Sequence, residues 1–133
     1  MKILVTGGAG FIGSHIADAY INAGHDVVII DNFSTGRKKN LNEKAKFIEV
    51  DIRDKAVKQV FVEHQFDIVN HQAAQMDVRL SVKDPIYDAE NNVIGFLNVV
   101  QNAADHQVNK VIYASSGGVV YGEQDYFPAD EKH

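Results

Sequence analysis

Short apolar runs recur along the chain at 2–5, 26–30, 46–50, 67–70 and 110–114. They are rich in Val and Ile, and most lack the polar alternation of a half-solvated strand. That pattern predicts strands covered on both faces of a parallel sheet. The segments between them carry helical periodicity. The first, 12–23, sets Ile12, Ile16, Ala19, Tyr20 and Ala23 on one face and stops at Gly24. The second runs from Asp54, a candidate N-cap, to His64, with Val57, Val60 and Phe61 turned inward. The third and longest, 85–106, is expected to bury Ile86, Val93, Leu97, Val100 and Ala104. Gly95 inside it costs about 1 kcal/mol relative to Ala, which predicts a close neighbour there. Strand and helix alternate from residue 2 onward, the signature of βαβ units with right-handed crossovers. The expected class is α/β, a doubly wound parallel sheet.

Composition narrows this picture without altering it. A length of 133 residues suits one domain with a real core, and 45% apolar with 23% charged residues is ordinary globular usage. The 13 basic and 18 acidic residues give a net charge of −5 and are interspersed, which argues against nucleic acid or an anionic membrane as partner. With no cysteine there is neither a disulfide framework nor a Cys-based zinc or redox site. The run Ile3-Leu4-Val5 ends at Thr6-Gly7, too short for a signal-peptide core or a membrane span, so the expectation is a soluble cytoplasmic protein. His15, His25, His64, His71, His106 and His133 share no ligand spacing and read as structural or exposed. The tail 121–133 has no recognisable period, and its acids, Glu123, Asp125, Asp130 and Glu131, look solvated.

Candidate chemistry begins at Gly7-Gly8-Ala9-Gly10-Phe11-Ile12-Gly13, between the first strand and the first helix. A pyrophosphate needs backbone N–H groups aimed at it and room to approach, and a helix N-terminus behind glycines supplies both. The spacing G-x-x-G-x-x-G is one residue longer between its first glycines than the common dinucleotide fingerprint, and alone it is a weak signal. Its context strengthens it, because the second strand ends in Asp31, about twenty residues on, where a ribose-binding acid belongs. A carboxylate there accepts from a 2′-hydroxyl and repels a 2′-phosphate, so NAD is favoured over NADP. The basic run Arg37-Lys38-Lys39 reads as solvated surface. No Gly-Lys-Ser/Thr follows the glycines, which excludes a Walker-type loop.

Thr6 to Gly13 together with Asp31-Asn32-Phe33-Ser34-Thr35-Gly36 resembles the extended short-chain dehydrogenase/reductases of the NAD-dependent epimerase/dehydratase type, and most closely the UDP-glucose 4-epimerases among them. The resemblance continues through Val50 to Asp54, His71 to Gln75, Asp84-Pro85, Asn91 to Gly95 and Ser115 to Gly122. It implies a Rossmann-type sheet of order 3-2-1-4-5 over 1–133, stopping before a substrate domain. It implies NAD contacts from Gly7, Gly10, Phe11, Ile12 and Gly13 at the phosphates, and from Asp31, Asn32, Ser34 and Gly36 around the ribose. By the same resemblance Asp51 and Ile52 lie at the adenine, and Ala73, Ala74 and Gln75 along the middle of the cofactor. Asn91 and Ser115 lie near the nicotinamide and sugar. The implied activity is transient oxidation of a UDP-hexose at C4, interconverting UDP-glucose and UDP-galactose, in a homodimer.

The family's base is a Tyr assisted by a Lys four residues on, and no Tyr of this chain has that partner. The assisting hydroxyl at the end of the fifth strand falls on Ser116 when counted forward from Asn91, or on Gly117 when counted back from Val120-Tyr121-Gly122; Ser116 is preferred, because a strand register shifts less readily than a loop. The Gly117-Gly118-Val119 stretch lacks the acids that dehydratases and decarboxylases of the family carry there. Two other readings stand beside the epimerase: a module that binds NAD without turnover, and a related dehydratase or decarboxylase.

Overall fold

Five parallel strands, β1 (Lys2–Thr6), β2 (Asp26–Asp31), β3 (Lys46–Glu49), β4 (Ile68–His71) and β5 (Lys110–Tyr113), make one sheet in the order β3-β2-β1-β4-β5 in the computed structural model, which describes residues 1–116, 121–123 and 125–130. The order is the one expected. β1 pairs on one side with β2, Leu4 opposite Val28, and on the other with β4, Leu4 opposite Val69. The chain therefore reverses its direction of growth between β1 and β4, the kind of switch point at which open α/β sheets form a crevice.

Side chains alternate across each strand, and both layers are apolar. Leu4, Val28, Ile30 and Val69 pack under α2 (Val57–Glu63) and α5 (Phe96–Asp105), against Val57, Val60, Phe61, Val99 and Ala103. Ile3, Val5, Val27 and Ile29 face α1 (Phe11–Asn22), where Ala17 is fully buried. Ile3, Leu4 and Val5 are each 0% exposed, and each such burial stabilises the fold by roughly 1.5–3 kcal/mol.

The helices differ from expectation in phase and in continuity. On α1 the buried positions are Gly13, Ser14 and Ala17, with Ile16, Tyr20 and Ile21 partly covered, while Ile12, Ala19 and Ala23 are exposed. Small residues line the contact because the start of α1 lies close against the β1 turn. α2 begins three residues after Asp54, whose side chain accepts the Ala56 N–H at 2.8 Å in a turn ahead of the helix.

The segment expected as one helix over 85–106 is α4 (Pro85–Ala89), a π-helical stretch Glu90–Gly95 and then α5, preceded by the unexpected α3 (Val78–Lys83). Its buried residues are Asn91, Gly95, Val99, Asn102 and Ala103. Ile86, Val93, Leu97 and Ala104 are exposed and Val100 is half-buried, the reverse of the expected face. The π turn widens the local repeat and rotates the phase, and the close approach selects small residues. A Cβ on Gly95 would stand 2.6 Å from Ile52 Cδ1, which is the close neighbour its presence predicted. Among the described residues no helix is long and apolar enough to cross a membrane.

Candidate functional site

Because every strand runs the same way, the segments leaving β1, β2, β3, β4 and β5 all emerge at one edge of the sheet. The expected site residues Gly7 to Gly13, Asp31 to Gly36, Asp51-Ile52, Ala73 to Gln75 and Ser115-Ser116 all lie on these exits.

The glycine turn is anchored at its root, with Gly7 N–H donating to the Ile30 carbonyl at 2.8 Å. Gly7 has φ +67°, and a Cβ there would sit 2.7 Å from the Ala73 nitrogen, so the β1 and β4 exits touch backbone to backbone. Gly13 is equally constrained, since a Cβ on it would collide with the Gly7 carbonyl. These contacts draw α1 down onto the turn. Its N-cap, Gly10, makes no side-chain cap and its first turn holds no acid, which leaves backbone N–H groups and the positive end of the helix dipole facing outward. Phe11 is 78% and Ile12 61% exposed at this opening.

Asp31 closes one side. It is buried, and its Oδ2 accepts the Ala9 N–H at 3.0 Å while Oδ1 accepts the Phe33 N–H at 2.7 Å. Each oxygen retains a lone pair. The Ala9 carbonyl in turn takes the Arg37 N–H at 2.9 Å and Asn40 Nδ2 at 2.8 Å, so the basic run Arg37 to Lys39 is bound into the connection leaving β2. Gly36 lies against Asp31 Oδ1 and the Ala9 Cβ, and the Asn32 carbonyl oxygen of the side chain accepts the Ser34 N–H at 2.9 Å. Asn32 Nδ2 reaches across to Asp51 Oδ2 at 2.8 Å, joining the β2 and β3 exits. The fork of Arg53 on Asp51 holds that carboxyl well below the usual carboxylate range, and Ile52 beside it is buried.

The β4 exit is organised from beneath. Thr6 Oγ1 accepts the N–H groups of Gln72 and Ala73, each at 3.2 Å, so its single proton goes to His71 Nδ1, 2.9 Å away. His71 is therefore neutral with its proton on Nε2, and burial holds its pKa down to about 4. Further out, Gln75 and Asn92 exchange two bonds of 2.8 Å, backbone N–H to side-chain oxygen and side-chain amide to backbone carbonyl. Gln75 Nε2 also donates to Ser81 Oγ and Asp88 Oδ1, both at 2.9 Å. This clamp fastens the 73–75 loop to the helical segment, next to Asn91. Asn91 sits buried in the π turn and donates to the Tyr87 carbonyl at 2.7 Å.

Ser115 and Ser116 follow β5 and are exposed. Gly117, the other candidate for the hydroxyl position, lies outside the described residues, as does His133. His15 is exposed and His25 and His106 half-buried, while His64 and His71 are buried; among the described residues no three His, Asp or Glu side chains group as metal ligands. In the tail, Tyr126 donates to Asp130 Oδ1 at 2.6 Å, so Asp130 is not simply solvated.

Sequence reasoning missed Arg53, Thr6 and the clamp residues Ser81, Asp88 and Asn92. Only the Asn91-Asn92 pair carried a local signal, since Asn is unfavourable within a helix unless its side chain bonds backbone nearby.

The profile of the NAD dependent epimerase/dehydratase family matches residues 3–133. The chain is 50% identical over 131 residues to a putative UDP-glucose 4-epimerase of Methanocaldococcus jannaschii, covering 98% of this chain and 43% of that protein. It is 40% identical over 136 residues to the UDP-glucose 4-epimerase of Mycolicibacterium smegmatis, covering 98% and 44%. The UDP-glucose 4-epimerase of Thermus thermophilus in complex with NAD superposes with a TM-score of 0.91 at 42% identity, over 99% of this chain and 43% of that one. That of Thermotoga maritima with UDP-glucose gives 0.91 at 44% identity, over 97% and 42%. The chain thus spans well under half the length of these relatives.

Proposed function

We propose, for a chain that belongs to the NAD dependent epimerase/dehydratase family, that residues 1–133 are the NAD-binding Rossmann domain of a nucleotide-sugar epimerase acting on UDP-glucose and UDP-galactose. The observation that carries the reading is the uncapped start of α1, drawn against Gly7 and flanked by the fixed carboxylate of Asp31. A cofactor fits this arrangement: the space that Cβ atoms would fill at Gly7 and Gly13 is kept for backbone, and the free N–H groups suit a pyrophosphate.

In this reading Gly7, Gly10, Phe11, Ile12 and Gly13 hold the phosphates and Asp31, with Asn32, Ser34 and Gly36, the adenosine ribose. Asp51 and Ile52 receive the adenine. Ala73, Ala74 and Gln75 line the middle of the dinucleotide, and Asn91, Ser115 and Ser116 stand toward the nicotinamide and sugar. NAD, when bound, supplies reversible acceptance of hydride from the sugar C4. Ser116 orients the hydroxyl that loses its proton, and the base is a Tyr-x-x-x-Lys pair that these 133 residues do not contain. The chain by itself is accordingly inactive.

The exposed apolar side of the helical segment, Val93 and Leu97 with Ile86, is the surface through which we place a homodimer. The test is C4 epimerisation of UDP-hexoses by a protein in which this sequence continues through a Tyr-x-x-x-Lys and a sugar-binding domain. Turnover is expected, and its absence in a folded protein that binds NAD overturns the epimerase reading.

A further inference from the structure

Asp51 is saturated with donors. Its Oδ1 accepts the backbone N–H and the Nε of Arg53, each at 2.9 Å. Its Oδ2 accepts Arg53 Nη2 and Asn32 Nδ2, each at 2.8 Å. An ionised carboxylate offers about four acceptor positions, so a base amine can bond this one only by replacing a donor. The four donors are unequal. Three belong to Arg53, two of them a charge-assisted bidentate fork. Arg53 is itself held, with Nη1 3.6 Å from Glu90 Oε2 and its guanidinium carbon 5.3 Å over the Tyr87 ring. The fourth donor is a neutral, exposed side-chain amide.

We propose that Arg53 is the positioning residue for base recognition: it fixes the Asp51 carboxylate so that only the Oδ2 position held by Asn32 is exchangeable, and the adenine 6-amino group takes that position. This rests on the reading that the site binds NAD with its adenine at Asp51. Arg53 does not touch the nucleotide, yet it sets the preference among purines. A 6-oxo purine presents an acceptor where only an acceptor waits, and two unpaired acceptors facing each other are rejected. With Arg53 replaced the carboxyl loses the two bonds of the fork and keeps those of the residue-53 backbone N–H and Asn32, so it can turn or take a proton and tolerate either base.

The test is the dissociation constants of NAD and nicotinamide hypoxanthine dinucleotide for the 133-residue chain and its Arg53→Met and Arg53→Lys variants, with the fold of each checked by circular dichroism. The unsubstituted chain is expected to prefer NAD by about tenfold or more, the worth of one charge-assisted bond. Arg53→Met, which keeps an unbranched apolar side chain without the fork, is expected to reduce the preference to less than about twofold. Arg53→Lys, a point charge without the fork, falls between, and it carries the test if the Met variant does not fold. Equal weakening of both dinucleotides in the Arg53 variants, with the preference intact, is what a merely structural arginine gives and overturns the inference. So does NAD binding with no preference in the unsubstituted chain, which leaves the NAD reading standing. A folded chain that binds neither dinucleotide overturns the NAD reading and the inference together.

Discussion

The corner where β1 meets α1 and the outer side of the helical segment at 85–105 are both rich in apolar residues, and the structure treats them oppositely. At the corner Ile3, Leu4 and Val5 are wholly buried and the glycines and Ala17 carry the closest contacts. On the helical segment the large side chains, Val93 and Leu97, are 52% and 53% exposed, while Asn91, Gly95, Asn102 and Ala103 face inward. Small residues mark where backbone comes close, and in this chain that is the edge at which we place the cofactor. The large exposed side chains mark the side turned away from the sheet, where we place the partner of a homodimer.

The corner is the region where single changes cost most. Gly13→Ala drives a methyl into the Gly7 carbonyl, and backbone cannot yield as a side chain tip does. A loss of about 3 kcal/mol is expected, read as a drop in the denaturation midpoint, with NAD binding abolished. Acidification probes the same corner from below. His71 titrates at about 4 folded and 6.5 unfolded, so between those values only the unfolded chain takes up the proton. Stability is complete above about pH 6.5 and falls as the pH drops toward 4, by about 3 kcal/mol over the whole window. His64, lowered by its own burial, adds loss of the same sign. His71→Asn should flatten most of this dependence, and an unchanged slope in urea titrations between pH 7 and 4 would refute the assignment.

A smaller effect belongs to the ribose arm. Asp31→Asn keeps the shape but loses the charge, and about a tenfold loss of NAD affinity is expected, together with a narrower margin over NADP. The least effect on stability comes from the outer helix side. Leu97→Ser should shift stability by no more than about 0.5 kcal/mol, measured by chemical denaturation, while weakening self-association in sedimentation. A large destabilisation of the monomer there would show that this side packs inward and erase the contrast between the two regions.

The sheet was legible because its signal is local: five short apolar runs, each ending where the structure ends a strand to within a residue or so, although only β1, β2 and β4 are covered on both faces as expected, and the edge strands β3 and β5 stay partly or largely exposed for want of a neighbour on one side. The glycine turn and Asp31 were legible as a spacing. The helix phases were not, because hydrophobicity pointed to the large side chains Ile86, Val93 and Leu97 as the inward face of the segment at 85–106 whereas small and polar residues, Asn91, Gly95, Asn102 and Ala103, make the close contact, and the π turn at Glu90–Gly95 breaks the repeat on which that reading depends. The bonds from Thr6 to His71 and from Gln75 to Asn92 join residues 65 and 17 positions apart, and no periodicity encodes them. Asp51 was singled out only through the family resemblance, by its position after the third strand. What fixes it, the fork of Arg53, became visible only with side chains in place.

The central claim is that the uncapped start of α1, the glycines beneath it and Asp31 together form an NAD site. Titration calorimetry of NAD and of NADP into the folded 133-residue chain tests it most directly. Saturable binding of one NAD per chain, weaker for NADP and lost in Gly13→Ala, is the predicted result. No heat of binding from a chain whose circular dichroism shows it folded, or equal affinity for the two dinucleotides, would contradict it.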